Sequence, residues 1–356
     1  MRKETALELL RYRIFSFYNE AKQIKNGIMP RPRVAIYHPT YVCNHNCSGC
    51  DFRFQNKEFK VMMTREQNLR IISQIISSKV EGVEFAGGGE PLLHPFIVED
   101  VEKLSKAGIS VSLITNGSFL KEDILKTFIE NGTYIRISLE SGCLETFKQV
   151  KGITKDSEYE NIINNIRSAT EMRAKLNKDL DISIKFTVGR NNFSDMEKGI
   201  KLSIDLGVDS IQFKLYENVD KIGINEDWDK GSQNDLENIQ LKLSELKVKY
   251  RDKITIIGNL KKTQIEGKCW LTPIITIIDA FGDVYLCPYY RHRMESHKLG
   301  NLMEKSFDEI WFAKSHWDAI TNIKTEKCDL YDCRFHIYSD LMSQAMDEKK
   351  NYLKFI

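Results

Sequence analysis

Residues 34–50 read VAIYHPTYVCNHNCSGC: a β-branched and aromatic run, a proline, then three cysteines within eight residues. Val34–Tyr37 has the make-up of a buried strand. Runs of the same kind recur at Val83–Ala86, Ser110–Ile114, Tyr134–Leu139, Ile182–Val188 and Ser210–Leu215, most of them bounded by Gly, Asn or Pro. Helix-length segments fill the gaps, at Arg65–Ser78, Phe96–Ala107, Glu122–Asn131, Ser157–Lys175 and Ser194–Leu206. Their apolar residues recur at three- and four-residue steps, as in Leu69, Ile72, Ile75 and Ile76. Alternation of strand and helix implies a parallel sheet covered by helices. Six strands are too few to close an eight-stranded barrel, so periodicity leaves open sheet and partial barrel both standing.

Ligands of parallel α/β sheets bind at the carboxyl ends of the strands. The cysteine loop, Gly87-Gly88-Gly89-Glu90-Pro91, Asn116-Gly117 and Glu140–Cys143 each follow a strand, so they are expected to converge on one face. Consecutive glycines permit close backbone approach, and Glu90 offers a carboxylate to a ligand ammonium.

At 356 residues, 42% hydrophobic and 29% charged, the chain has the composition of a globular protein with room for one large domain and a smaller one. Its net charge of +2 gives no argument for a polyanionic partner, and neither nucleic acid nor membrane is expected. No run approaches the ~18 consecutive apolar residues of a transmembrane helix. Met1–Asn26 mixes charged residues with Leu7, Leu10, Ile14, Phe15 and Phe17, an amphipathic helix pattern rather than a signal peptide. Eight cysteines without a secretion signal point to metal binding or catalysis rather than disulfides, and to a cytoplasmic location. Residues 225–248 turn polar and charged, with Leu236, Ile239, Leu243 and Leu246 on one helical face. The expected organisation is a helical extension over 1–32, a core over 33–223, a helical bridge over 224–266 and a second unit over 267–356.

Three thiolates are one too few for a fully protein-ligated four-iron cluster; alone they also suit zinc, with His45 or a distant residue as fourth ligand. The C-x3-C-x2-C spacing of Cys43, Cys47 and Cys50, followed one βα unit later by Gly88-Gly89-Glu90-Pro91, resembles the radical S-adenosylmethionine (SAM) superfamily. That resemblance implies an α/β fold, a partial (β/α)6 TIM-like barrel whose triplet holds a 4Fe-4S cluster with one iron left open to chelate SAM. It also implies a reductant such as flavodoxin or ferredoxin, and cleavage of SAM to a 5′-deoxyadenosyl radical. Gly87, Gly88, Gly89 and Glu90 would cradle SAM. Ser138 and Glu140 resemble positions that reach the SAM ribose in relatives, and Asn116 and Arg190, which follow other strands, are expected to join them. Gly49 departs from the family, which commonly carries an aromatic residue before the last cysteine; Phe52 is the candidate to cover the adenine instead.

Cys269, Cys287, Cys328 and Cys333 form a second constellation. Ile274–Asp279 and Val284–Leu286 read as a hairpin turning at Ala280–Asp283. Cys269-x12-Gly282-x4-Cys287, with Leu299-Gly300-Asn301-Leu302 and Ser306–Trp311 beyond it, resembles the small α+β SPASM and twitch domains. Four thiolates suffice to close a cluster or a zinc site. The resemblance implies one auxiliary 4Fe-4S cluster, although Cys328-x4-Cys333 is wider than the usual C-x2-C.

Cys143 is left over, either a small buried hydrophobe or the hydrogen-atom donor that an epimerase requires. Lys214 and Glu217, with Tyr289, Tyr290, Arg291 and His292, are expected near the two clusters as bases or substrate ligands. The reaction implied is hydrogen abstraction followed by oxidation or epimerisation. A small sugar or aminocyclitol is favoured over a ribosomally made peptide, because Met1–Pro32 is too short for a peptide-recognition domain. A non-enzymatic iron–sulfur carrier or zinc scaffold is the remaining alternative.

Overall fold

The computed structural model describes residues 13–48, 50, 52–215, 233–260, 268–325, 328, 333 and 338–342. Its strands are β1 (Val34–Tyr37), β2 (Gly82–Phe85), β3 (Ser110–Thr115), β4 (Gly132–Ser138), β5 (Asp181–Val188), β6 (Ser210–Leu215), β7 (Thr255–Ile257), β8 (Ile275–Ile278), β9 (Asp283–Tyr285) and β10 (Lys298–Asn301). Helices α1 (Arg13–Ser16), α2 (Tyr18–Lys25) and α3 (Arg53–Glu58) lie around β1 in the chain. The connections from β1 to β6 carry α4 (Arg65–Ser77), α5 (Ile97–Lys106), α6 (Glu122–Asn131), α7 (Leu144–Lys151), α8 (Asp156–Lys175) and α9 (Met196–Asp205). Further on come α10 (Gln233–Tyr250), α11 (Met294–His297), α12 (Phe307–Trp311) and α13 (Lys314–Thr321).

All ten strands belong to one sheet, ordered β10-β9-β8-β1-β2-β3-β4-β5-β6-β7. From β1 to β7 the neighbours are parallel and in chain order. The edge strands β10 and β7 do not meet, so the barrel is partial and open. Buried residues of α4 (Ile71, Ile72, Ile75), α5 (Val101, Leu104), α6 (Phe128), α8 (Ile162, Ile166) and α9 (Ile200) belong to one core with the strands. Each such side chain contributes roughly 1.5–3 kcal/mol by leaving water. Thr64 and Gln67 close a capping box at the start of α4, which fixes where the helix begins.

Two features depart from expectation. Residues 1–12 of the expected N-terminal helix lie outside the described residues, and the rest is broken at Phe17 into α1 and α2. Phe17 is buried, with the Arg33 guanidinium 5.6 Å above its ring. Within the bridge region α10 is followed by β7, three residues long and too short to give a period-two signal. The expected hairpin is present as the antiparallel pair β8–β9, and β8 pairs on its other side in parallel with β1, from Val34↔Ile275 to Tyr37↔Ile278. All four residues of β8 are buried, as suits a strand inside a sheet. Among the described residues, no helix is long and apolar enough to cross a membrane.

A buried polar network joins α4 to α5. Asn68 donates through Nδ2 to both carboxylate oxygens of Asp100, at 2.8 and 3.0 Å, and its Oδ1 accepts from Tyr37 Oη at 2.8 Å. His94 Nε2 lies 3.0 Å from the same Oδ1. Burial pushes the Asp100 carboxyl up to about 7 and the His94 imidazole down to about 4. Between pH 4 and 7 the folded protein therefore holds a proton on Asp100 that the unfolded chain has lost. Its stabilising effect fades as pH rises through that window. Relative to Asp100→Asn, the wild type is expected to lose on the order of 1–4 kcal/mol from pH 4 to 7. Parallel urea-denaturation profiles for the two proteins across that range would refute this.

Candidate active site

At the carboxyl ends of β1–β6 lies a cavity of about 280 Å³. Cys43, Cys47, Cys50 and Phe52 line it from the loop after β1, and Gly87–Glu90 from the loop after β2. Asn116, Ser138, Glu140 and Lys214 reach it from β3, β4 and β6. Each of the four loops that follow these strands in the sequence thus contributes at least one residue to the cavity wall.

The cysteine loop is held from two sides. Backbone N–H groups of Gly89 and Glu90 donate to the carbonyls of Thr40 and Val42, at 2.8 and 2.9 Å. On the other side, Asn46 and Ser48 donate to the carbonyls of Lys151 and Val150 at the end of α7, at 3.2 and 3.0 Å. The three thiols are free of disulfides and half-buried. Burial pushes Cys47 up to about 11 and Cys43 also upward, while the Lys151 ammonium pulls both down. No three of the described His, Cys, Asp or Glu side chains are close enough to share one metal ion. A cubane spreads its ligands over several irons.

His45 directs Nε2 to Ser118 Oγ at 3.0 Å and Glu158 at 3.2 Å, leaving its buried Nδ1 without a hydrogen-bond partner. Glu90 is buried, and its carboxylate accepts from Thr115 Oγ1 (2.6 Å), the Asn116 N–H (2.7 Å) and the Leu92 N–H (3.0 Å). Three of its roughly four acceptor sites thus brace the β2 and β3 loops, so its main work is internal. Asn116 spends its side-chain amide on Asn44 Oδ1 at 2.7 Å. Phe52 is packed among His38, Tyr41 and Tyr290 as well as lining the cavity.

Glu140 sits at φ +60°, an unusual conformation for a residue with a side chain. Its carboxylate meets Lys151 Nζ at 3.0 Å and Thr187 Oγ1 at 3.0 Å. Burial alone would raise Glu140; the Lys151 and Lys185 ammonium groups and these bonds hold it below the ordinary carboxylate value. Lys151 is raised despite burial, chiefly by Glu140 and then Cys47.

Two expected site residues, Cys143 and Arg190, are not in the cavity wall. Cys143 caps α7, with Sγ 3.2 Å from Asp195 Oδ2 and 3.5 Å from Thr146 Oγ1. Its thiol is turned to α9 rather than to the cavity. Arg190 points outward to Asp235 of α10 at 3.5 Å, because it lies beyond β5 on the turn into α9. Glu217 and the side chain of His292 lie outside the described residues.

Sequence reading missed Arg136, Lys151, Lys185, Thr187 and Gln212, all of which line the cavity. A signal existed: polar residues at alternate positions of β4, β5 and β6, on otherwise apolar strands, mark an inward face.

The four C-terminal cysteines lie together. Burial is the main cause raising Cys269, with the proximity of Cys287, Cys333 and Cys328 adding to it. Cys287 is pushed up to about 12. Tyr289 lines the main cavity, and its N–H donates to Cys287 Sγ at 3.4 Å, so this group borders the same space. A buried phenol network links the two cysteine loops. Tyr41 donates to Asp279 Oδ2 at 2.9 Å and lies 3.0 Å from Tyr290 Oη, while Tyr285 donates to the same carboxylate at 3.2 Å and stacks on Tyr290 at 3.9 Å. Mutually satisfied networks of this kind fix their members relative to one another.

Residues 37–177 match the radical SAM superfamily, and residues 269–334 match SPASM, an iron–sulfur cluster-binding domain. A Saccharolobus islandicus protein described as "Probable GTP 3',8-cyclase" is 30% identical over 173 residues, 48% of this chain and 53% of that protein. The S-adenosylmethionine-dependent nucleotide dehydratase of Flammeovirga pacifica is 30% identical over 147 residues, 39% of this chain and 48% of that protein. The chain thus spans about half the length of the curated relatives it matches. Streptococcus suis SuiB, solved with precursor peptide SuiA, superposes with a TM-score of 0.67 at 16% identity, over 91% of this chain and 75% of that one. The anSMEcpe structure with bound AdoMet and Cp18Cys peptide gives 0.59 at 18% identity, over 89% and 96%. The structural likenesses establish the fold, and the two domain matches give this chain a radical SAM domain and, C-terminal to it, a SPASM iron–sulfur domain, with 4Fe-4S clusters and SAM as their cofactors.

Proposed function

We propose that the enzyme oxidises a small polar substrate by hydrogen abstraction, with Cys43, Cys47 and Cys50 holding the SAM-binding cluster and the C-terminal quartet holding an auxiliary one. The observation that carries this reading is the single cavity shared by the triplet, the glycine run and Tyr289, beside Cys287. The bound groups would supply one-electron chemistry: SAM cleaved to a carbon radical that takes a substrate hydrogen, and an electron acceptor at the quartet. The chain's own part is positional. Gly87–Gly89 line the cavity while Gly88 and Gly89 let the loop after β2 pack against Tyr41 and Val42 of the cysteine loop, and Lys151, paired with Glu140, places a buried cation in the same lining. Epimerisation is disfavoured, because Cys143, the one cysteine outside the two groups, donates to Asp195 away from the cavity. The names of the sequence relatives, a GTP cyclase and a nucleotide dehydratase, favour a small molecule over a peptide.

Anaerobic reconstitution is expected to give a brown protein with ~8 irons per chain that releases 5′-deoxyadenosine with dithionite. A flavodoxin or ferredoxin is the proposed natural reductant. Iron near half that value with zinc present would remove the auxiliary cluster, and absence of 5′-deoxyadenosine would overturn the reading.

A further inference from the structure

The cavity wall formed by β4, β5 and β6 carries more positive charge than its own residues neutralise. Arg136 and Lys185 stand on it, and Lys151 joins them in the cavity lining, against the carboxylates Glu90 and Glu140. Glu140 is taken by Lys151, and Glu90 is enclosed by its three hydrogen bonds. A three-thiolate cubane and SAM carry opposite unit charges formally, so bound cofactors would not remove the excess. Lys185 makes no ion pair among the described residues. In register, Lys185 stands beside Ser138 on one side and Gln212 on the other, with Lys214 one row nearer the strand ends beside Thr187. Arg136 lies one row deeper, beside Ser183.

Two polar atoms of this wall are also buried without a partner. Arg136 Nε lacks an acceptor and Gln212 Oε1 lacks a donor. An unmade hydrogen bond at a buried group costs about 1–3 kcal/mol, so such pairs mark places where a ligand or water completes the structure. The orphans differ in kind: one asks for an anion, the other for a hydroxyl or N–H.

We infer that this wall recognises an oxyanion on the substrate, a phosphate ester or a carboxylate, through Arg136 and Lys185, and that Gln212 accepts from a neighbouring hydroxyl or amine of the same molecule. The inference rests on the reading of this cavity as the substrate site, and it narrows the substrate to an anionic, hydroxylated or aminated small molecule.

Calorimetric titration of the reconstituted enzyme with SAM bound, using inorganic pyrophosphate and succinate as separate probes, tests it. One of the two is expected to bind at one site per chain and weaken as salt screens the contact; which one binds distinguishes phosphate from carboxylate. Lys185→Met and Arg136→Gln are each expected to weaken that binding about 10- to 100-fold, the loss of one charge-assisted bond. Binding of neither probe, or equal binding in wild type and both variants, would overturn the inference. So would a loss confined to SAM affinity, which would assign these cations to SAM. An enzyme that cleaves SAM yet binds neither anion fails only here; one that cleaves no SAM fails at the underlying reading.

Discussion

Gly89→Ala is expected to weaken SAM binding by about 100-fold, although alanine adds a single carbon. A Cβ at this position would lie 2.0 Å from the Val42 carbonyl oxygen and 2.8 Å from the Tyr41 carbonyl carbon. These are backbone atoms, so no rotamer change relieves the clash. The loop that leads into Cys43 must move away, and the bonds from Gly89 and Glu90 to Thr40 and Val42 go with it. Overpacking costs about 1–3 kcal/mol and each lost bond about 1 kcal/mol net, which is of the order of 100-fold in an equilibrium. Gly108→Ala is the control: Gly108 has positive φ, +78°, which Gly89 does not, but nothing lies within 4 Å of its added Cβ. It should cost some stability and leave SAM affinity unchanged. Equal SAM affinity in Gly89→Ala and wild type, measured on reconstituted protein, would refute the junction.

Lys151→Met should be the most damaging single change to stability at neutral pH. The Lys151 side chain is 2% exposed and its partner Glu140 11%, with 3.0 Å between them. Removing one member of a buried pair leaves the other charge uncompensated, at about 3–5 kcal/mol. The pH dependence should invert as well. In the wild type Glu140 is held below its ordinary value, so its contribution is present above about pH 4 and fades as pH falls further. Without Lys151 burial dominates and raises it, so the variant gains stability on acidification toward pH 4. Glu140→Gln in the same chain should restore part of the loss. A variant as stable as wild type at pH 7, or a double variant no better than Lys151→Met, would sink this account.

The contrast between these two sites explains what could be read in advance. Gly89 belongs to a local pattern, and so do the three cysteines: spacing along the chain carries the chemistry before any folding is known. The six core strands were legible for the same reason, each being a short apolar run between turn residues. Lys151 was not, since in sequence it is an ordinary basic residue in the last turn of an amphipathic helix, and only the fold brings it against Glu140 and Cys47. Arg136 and Lys185 left only the alternation signal, polar residues at every second position of otherwise apolar strands, and it takes the curvature of the sheet to turn that face into a cavity wall. Cys143 and Arg190 failed in the opposite way. Both follow strand ends, as expected, but the helix start and turn on which they lie aim them at Asp195 and Asp235.

The placement of β8 against β1 bears on how the chain is made. The strand that leads into the cysteine triplet has one neighbour, β2, within fifty residues, and its other, β8, more than two hundred residues later. While a ribosome is still extending the chain, one side of β1 presents open amide and carbonyl groups on an apolar strand, a ready template for association with another chain. At ~5–20 residues per second, that interval lasts for many seconds. Newly made protein is therefore most vulnerable before residue 275 emerges, and a chain shortened ahead of that point would keep the exposed edge permanently.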